Sequence, residues 1–391
     1  MYIYLNKEVM HLKFKLLIVL FIYSVALTGQ GVLPLKEASK KLKGKELIDV
    51  YLEIGKLSYE KYSSADSLLF YSQKAFNIAN AQNYKEGLHK AQLSIGLAYQ
   101  RLNNYDTSTV ILNNLLSVSD KNILGEAHSG LGVNRYRIND NKGALDHYIK
   151  AVSFFSDVKN KNALPIVYTR MGVVFNNEVQ YTQALEYAKK AAASLPEVIE
   201  PFSKVTVLAN LAGIYIQQGI ENKIYVDTSI YYSKQALELV SKFGYYSKAN
   251  QLCNSVSNAY FLKGDMTNAL AYCKESLKFR QYLLPAEILV SYLNLADAYS
   301  RMKQYGNSLI YLDSVKQVVP FTNDPYYQMR LYERVHEYNR DAGNLKEALY
   351  GLERYKAIQD SLYTLEKNSA INELMQKYQK VENEKEINEL N

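Results

Sequence analysis

An all-α chain of repeated helical hairpins is the fold class this sequence predicts, and three observations predict it. A small residue recurs at intervals near forty, as Gly55, Gly96, Gly132, Gly172, Ala212, Ser257 and Ala296, with His336 standing in the last copy. A second small residue follows twelve positions later: Gly132 is paired with Ala144, Gly172 with Ala184, Ser257 with Ala269, Ala296 with Ser308 and His336 with Ala348. Helices that cross at small residues approach closely, and large residues fill the gaps beside the crossing. Third, Ala184, Leu185, Ala188, Ala191 and Ala192 share one face at helical spacing, while no segment alternates as a half-buried strand would.

Taken in order, the chain opens on a leader. Lys13 and Lys15 precede the apolar run Leu16 to Leu27, and Thr28-Gly29-Gln30 supplies a small residue for cleavage after Gly29. Residues 1–29 therefore read as an export signal that places the mature protein in the periplasm or cell envelope, and a start at Met10 makes the signal more compact. Retention as a membrane anchor is the other reading; against it, the apolar core is shorter than the roughly 20 residues a spanning helix needs. No Cys adjoins the cleavage site, so no lipid is attached there.

The repeats occupy residues 37–364. A chain of 391 residues exceeds what one globular core usually holds, and a stack of repeats accommodates that length. Turn residues separate the paired helices at Asn103-Asn104, Asn139-Asp140-Asn141, Lys263-Gly264-Asp265 and Ala342-Gly343-Asn344. The 36 Tyr, with no Trp, recur at fixed repeat positions and read as packing wedges between helices. The fifth copy departs from the rhythm, since seventeen residues separate Ala212 from Ser229. The extra five fall around Ile220 to Ile224, either as a neutral extension at the edge of the stack or as a loop that meets a partner. Residues 365–391 then place Ile371, Leu374, Tyr378 and Val381 at 3-4-3 spacing among Glu and Lys. They read as one charged helix that caps the stack and offers a homodimer seam, although Lys385 interrupts the next core position.

Little in the sequence suggests chemistry, and we assign no catalytic residue, cofactor or metal. The five His are scattered, no His-Glu-x-x-His occurs, and Gly130-Leu131-Gly132 lies within a helix rather than at a strand-to-helix turn. His128 and His147 face one another across the third hairpin as a packed pair. The net charge of +7 is spread without a Lys/Arg block, which argues against nucleic acid as a partner. In the sixth hairpin, the register that sets Ser257 against Ala269 also sets Cys253 against Cys273. In an oxidising compartment they form a disulfide; otherwise they are two buried small hydrophobes.

These residues resemble the tetratricopeptide repeat, with its Leu-Gly, Tyr, Ala, aromatic and Ala pattern and a closing Pro, here Pro196 and Pro320. The resemblance covers about 330 residues, lacks the family's Trp, and has a period longer than the family's usual thirty-four. It implies a right-handed superhelical solenoid of about eight hairpins whose first helices line a concave groove. It places Tyr136, Arg137, Thr169, Asn176, Asn177, Gln217, Asn254, Asn258, Phe261, Asp297 and Arg301 on or near that groove. The implied ligand is a protein or peptide, whose backbone the Asn side chains can bracket. A clamp for chaperone tails is disfavoured, because Asn258 matches one of its positions but Leu293 stands where a Lys is needed. The arrangement also resembles the exported input region of bacterial sensor histidine kinases and helix-turn-helix regulators. That resemblance implies, as the alternative to a freestanding scaffold, a ligand-sensing module.

Overall fold

The computed structural model describes residues 32–219, 223–322 and 325–364, and every regular element among them is helical. The leader 1–29, the inserted Ile220 to Asn222 and the charged segment 365–391 lie outside the described residues. The chain divides into two compact units, Met1–Leu283 and Leu284–Asn391.

Unit 1 begins with a short helix α1 (Leu33–Ser39) and continues as six hairpins. These are α2 (Gly44–Tyr62) with α3 (Ala65–Ala81), α4 (Lys85–Arg101) with α5 (Tyr105–Asn113), and α6 (Lys121–Arg137) with α7 (Asn141–Asp157). They are followed by α8 (Ala163–Asn177) with α9 (Tyr181–Ser194), α10 (Pro201–Gly219) with α11 (Ile224–Phe243), and α12 (Tyr246–Lys263) with α13 (Met266–Ser276). Unit 2 pairs α14 (Pro285–Arg301) with α15 (Tyr305–Val318), and α16 (Pro325–Asp341) with a helix α17 over residues 345–364.

The turns and caps follow from their residues. Asn103, Asn139, Gly264 and Gly343, each seven after its repeat's small residue, adopt left-handed backbone with φ of 60°, 61°, 78° and 83°. Asn and Gly take that conformation at least cost. The following Asn104, Asp140 and Asp265 then cap the second helices, accepting from the backbone N–H of Thr107, Gly143 and Asn268.

The twelve-residue pairing is visible as contact. Ser257 Oγ donates to the Ala269 carbonyl at 3.0 Å, Ser308 Oγ to that of Ala296 at 2.9 Å, and His336 Nδ1 lies 2.9 Å from that of Ala348. The fifth hairpin keeps the crossing despite its longer spacing, since Ser229 Oγ donates to the Ala212 carbonyl at 2.8 Å. Three residues beyond four of the crossings, an aromatic from one helix stacks on one from the other. These pairs are Phe175 with Tyr187, Tyr215 with Tyr232, Tyr260 with Tyr272 and Tyr299 with Tyr311, with ring centroids 5.4 to 5.8 Å apart.

Successive first helices also touch. In unit 1, α2 packs on α4, α4 on α6, α6 on α8, α8 on α10 and α10 on α12, and α12 returns to pack on α2. Six first helices thus close one turn around a common interior, with the second helices of the hairpins outside it.

Candidate functional site

The interior of that turn is lined with charge. Glu53, Lys56 and Glu60 fall on one stripe of α2, two before and one and five after Gly55. Glu126 of α6 and Arg170 of α8 come from the same flank of their helices, and Arg101 at the end of α4 sits over the Tyr59 ring with its guanidinium 4.8 Å from the centroid. Glu200 arrives just ahead of Pro201, which opens α10. Asn162 Oδ1 fixes that approach by accepting from the N–H groups of Ile199 and Glu200, both at 3.1 Å.

Lys56 Nζ is bonded to Glu200 and lies 3.7 Å from Glu60. Burial opposes the charge on Lys56, but Glu60, Glu200 and Glu53 together outweigh it and raise its pKa. Burial pushes Glu60 up to about 8 against the pull of Lys56, and it raises Glu53 in the same way. Glu200 shifts the opposite way: burial resists its charge, yet Lys56 and the hydroxyl of Ser203 hold it below the ordinary carboxylate value. The Lys56 side chain nevertheless stays 45% accessible, which marks the wall of a narrow concavity rather than a sealed core. Glu126 is raised by burial with Arg170 opposing, and Arg170, which donates to Ser129 Oγ, is lowered by burial. Acids and bases from five hairpins therefore face one solvent-reached interior, an arrangement suited to ion pairs with a bound chain. Among the described residues no group of three His, Cys, Asp or Glu is placed to hold a metal ion.

The residues nominated from sequence separate into three groups. Thr169, Asn176 and Asn254 are buried, and their polar groups are used between or within first helices. Thr169 Oγ1 accepts from Asn210 at 2.8 Å, Asn176 Oδ1 accepts from Gln218 at 2.6 Å, and Asn254 donates to Asn250 Oδ1 at 3.1 Å. The sequence reading took three before and one and four after the small residue as groove positions; in the fourth hairpin the first and last of these, Thr169 and Asn176, face the adjacent first helix instead. Arg137, Gln217 and Asn258 are exposed, Phe261 is half-buried, and Asn177 reaches from α8 to the Tyr136 hydroxyl at 2.5 Å. Asp297 and Arg301 belong to unit 2, where they line a cleft of about 330 Å³ with Arg334, Glu337, Tyr338 and Arg340. There the Tyr338 hydroxyl and Arg334 both engage Asp297, and burial raises its pKa against the pull of Arg334.

The interior residues Glu53, Lys56, Glu60, Arg101, Glu126 and Arg170 escaped the sequence reading. The signal for part of them was present, since two before and five after the small residue lie on one helical stripe, and Glu53, Glu60, Arg101 and Arg170 occupy one or other of those positions. The two Cys stand as buried thiols on facing helices rather than as a bridge, with Cys273 Sγ 2.8 Å from Ser257 Oγ and burial pushing Cys253 up to about 12. His128 and His147 do meet, Nδ1 to Nδ1 at 3.0 Å.

No model of a known protein family matches the chain. No curated protein sequence matches it either. Solved structures do. Human IFIT1, a dimer with m7Gppp-AAAA, aligns over 87% of this chain and 75% of its own, with a TM-score of 0.55 and 16% identity. A Rap protein complexed with competence and sporulation factor aligns over 82% of this chain and 99% of its own, with a TM-score of 0.54 and 13% identity. A Pyrococcus horikoshii signal-transduction ATPase with numerous domains, which carries a tetratricopeptide repeat sensor, aligns over 81% of this chain with a TM-score of 0.54 and 13% identity. This chain spans 50% of that protein's length. At such identities the shared property is architecture, and it agrees with the crossings and turns described above: the chain has the fold of the tetratricopeptide repeat proteins.

Proposed function

We propose that this protein is a non-catalytic repeat scaffold that binds a protein or peptide in the polar interior of unit 1, and that residues 1–29 export it to the periplasm or cell envelope. The observation that carries the reading is the convergence of Lys56, Glu126, Arg170 and Glu200 from separate hairpins on one accessible interior. An extended polypeptide presents backbone donors and acceptors along its length and charges of either sign on its side chains, which such a lining can match. The Rap protein of similar fold, complexed with competence and sporulation factor, supports a binding role. IFIT1 of similar fold carries m7Gppp-AAAA, but here the Glu200 carboxylate already occupies Lys56, a cation that a phosphate would need.

Affinity capture from the native envelope tests the reading, with wild-type protein compared with Glu126→Ala/Arg170→Ala at matched helicity. A partner retained by the wild type and lost from the variant is expected; identical partner sets would contradict binding in this interior.

A second reading, a ligand-sensing input module, draws support from the Pyrococcus protein in which such repeats are the sensor. Transcript sequence beyond Asn391 that encodes an apolar span and an output domain would favour it, and a stop codon there would remove it.

A further inference from the structure

The closure of unit 1 is made differently from its other joints. Between consecutive hairpins an apolar cluster spans the joint, beside polar bonds between first helices such as Asn210 to Thr169. Val167, Met171 and Val174 of α8 pack on Ala144, Tyr148 and Phe155 of α7, and Val205, Leu208 and Ala209 of α10 pack with Val240 and Phe243 of α11 and Leu252 of α12. Where α12 returns to α2, no apolar cluster spans the two helices among the described residues. Toward its C-terminal end α2 buries the polar side chains Ser58, Glu60 and Lys61.

Two lysines of α2 make long-range bonds beside that joint, both to the ends of the fifth hairpin, which precedes α12. Lys56 holds Glu200, 144 residues away. Lys61, only 2% exposed, donates from Nζ to the Phe243 carbonyl at 3.1 Å, 182 residues away. Phe243 ends α11, where Gly244 turns into left-handed backbone at φ 71°, so its carbonyl belongs to the set that a helix leaves without an internal partner. A cation there also meets the negative end of the helix.

Such contacts hold a joint without committing it. A half-exposed ion pair such as Lys56 with Glu200 adds little net stability, and on opening Lys61 exchanges its carbonyl for water, so the joint is specific and its open state is accessible. Apolar joints between consecutive hairpins have no comparable alternative, because opening them exposes hydrocarbon. We propose that Lys56 and Lys61 form a releasable latch: with Glu200 and the Phe243 carbonyl engaged, unit 1 is closed and its interior is walled off at α2 and α12. With the latch released, α2 and α12 part and a ligand enters or leaves. The latch stands on the closing contacts alone and does not depend on what the interior binds.

Hydrogen exchange of the full chain tests it. In Lys56→Met/Lys61→Met, amide exchange over 44–62 and 246–263 rises on the order of tenfold, while α6 to α9 keep their wild-type protection. Lys56→Arg/Lys61→Arg, which keeps both charges, retains protection in both segments. Unchanged exchange at α2 and α12, or a rise spread evenly over all hairpins, would overturn the proposal. Should the Met variant not fold, the wild-type protein from low to about 1 M salt serves instead. Loss of protection first in those two segments is then expected, and uniform loss or none would overturn it.

Discussion

His128 shows how one residue ties packing to pH. Its ring is stacked on Phe154 with centroids 5.7 Å apart and planes 9° apart, and its Nδ1 meets that of His147. Burial, then His147 and Lys150, push its pKa down from 6.5 to about 4, and burial with Lys150 and Arg135 lowers that of His147 against Asp146 and Asp140. The unfolded chain therefore binds protons that the folded chain refuses. Stability from this pair is fully present above pH 6.5 and is lost as pH falls toward about 4. Urea titrations across that range are expected to show the midpoint falling with acidification, and His128→Gln/His147→Gln is expected to flatten the slope; an unchanged slope would contradict the assignment. The facing of these two residues was legible from hairpin register alone. The interior charges were not, because a residue two before the small position and one three before it are neighbours in sequence but look toward different helices. Arg170 faces the common interior and Thr169 the next first helix. At the position before the small residue, a displacement of one residue exchanges Arg170 for the buried Thr169.

At the scale of the element, the hairpin is where sequence and structure agree most closely. Small residues at the crossing, left-handed backbone seven later and, in four copies, an aromatic three beyond the crossing are all local, so they recur in register and can be read directly. Gly132 gives the rule its energetic content. A Cβ there would run into the ring of Tyr148, which is 1% exposed and has nowhere to swing. Gly132→Ala should cost about 1–3 kcal/mol through overpacking, outweighing the ~1 kcal/mol that Ala gains in helix propensity. Gly213, within α10, has open space around its position, so Gly213→Ala should add about 0.5–1 kcal/mol. Paired denaturation curves that place both variants on the same side of wild type would refute this account of the crossing. Two copies show the pattern kept where the residue is poor: Val179 and Lys303 hold φ at 60° and 59° in the place where Asn or Gly stands elsewhere.

At the scale of the whole molecule, the informative contact is the least local one. Periodicity announces that each hairpin follows the last, and it says nothing about the first meeting the sixth, since that depends on small rotations accumulated between repeats. This is why an open groove is the natural expectation from sequence, whereas unit 1 closes α12 on α2 around a charged interior. Both the binding reading and the latch rest on that closure. Zero-length carbodiimide coupling, which joins a lysine to a carboxylate only when they touch, measures it directly, and the accessible Lys56 side chain is within its reach. In the monomeric fraction of the full chain, the account predicts a peptide containing Lys56 joined to one containing Glu200. Lys56 joined only to carboxylates of its own and the adjacent hairpin would contradict it.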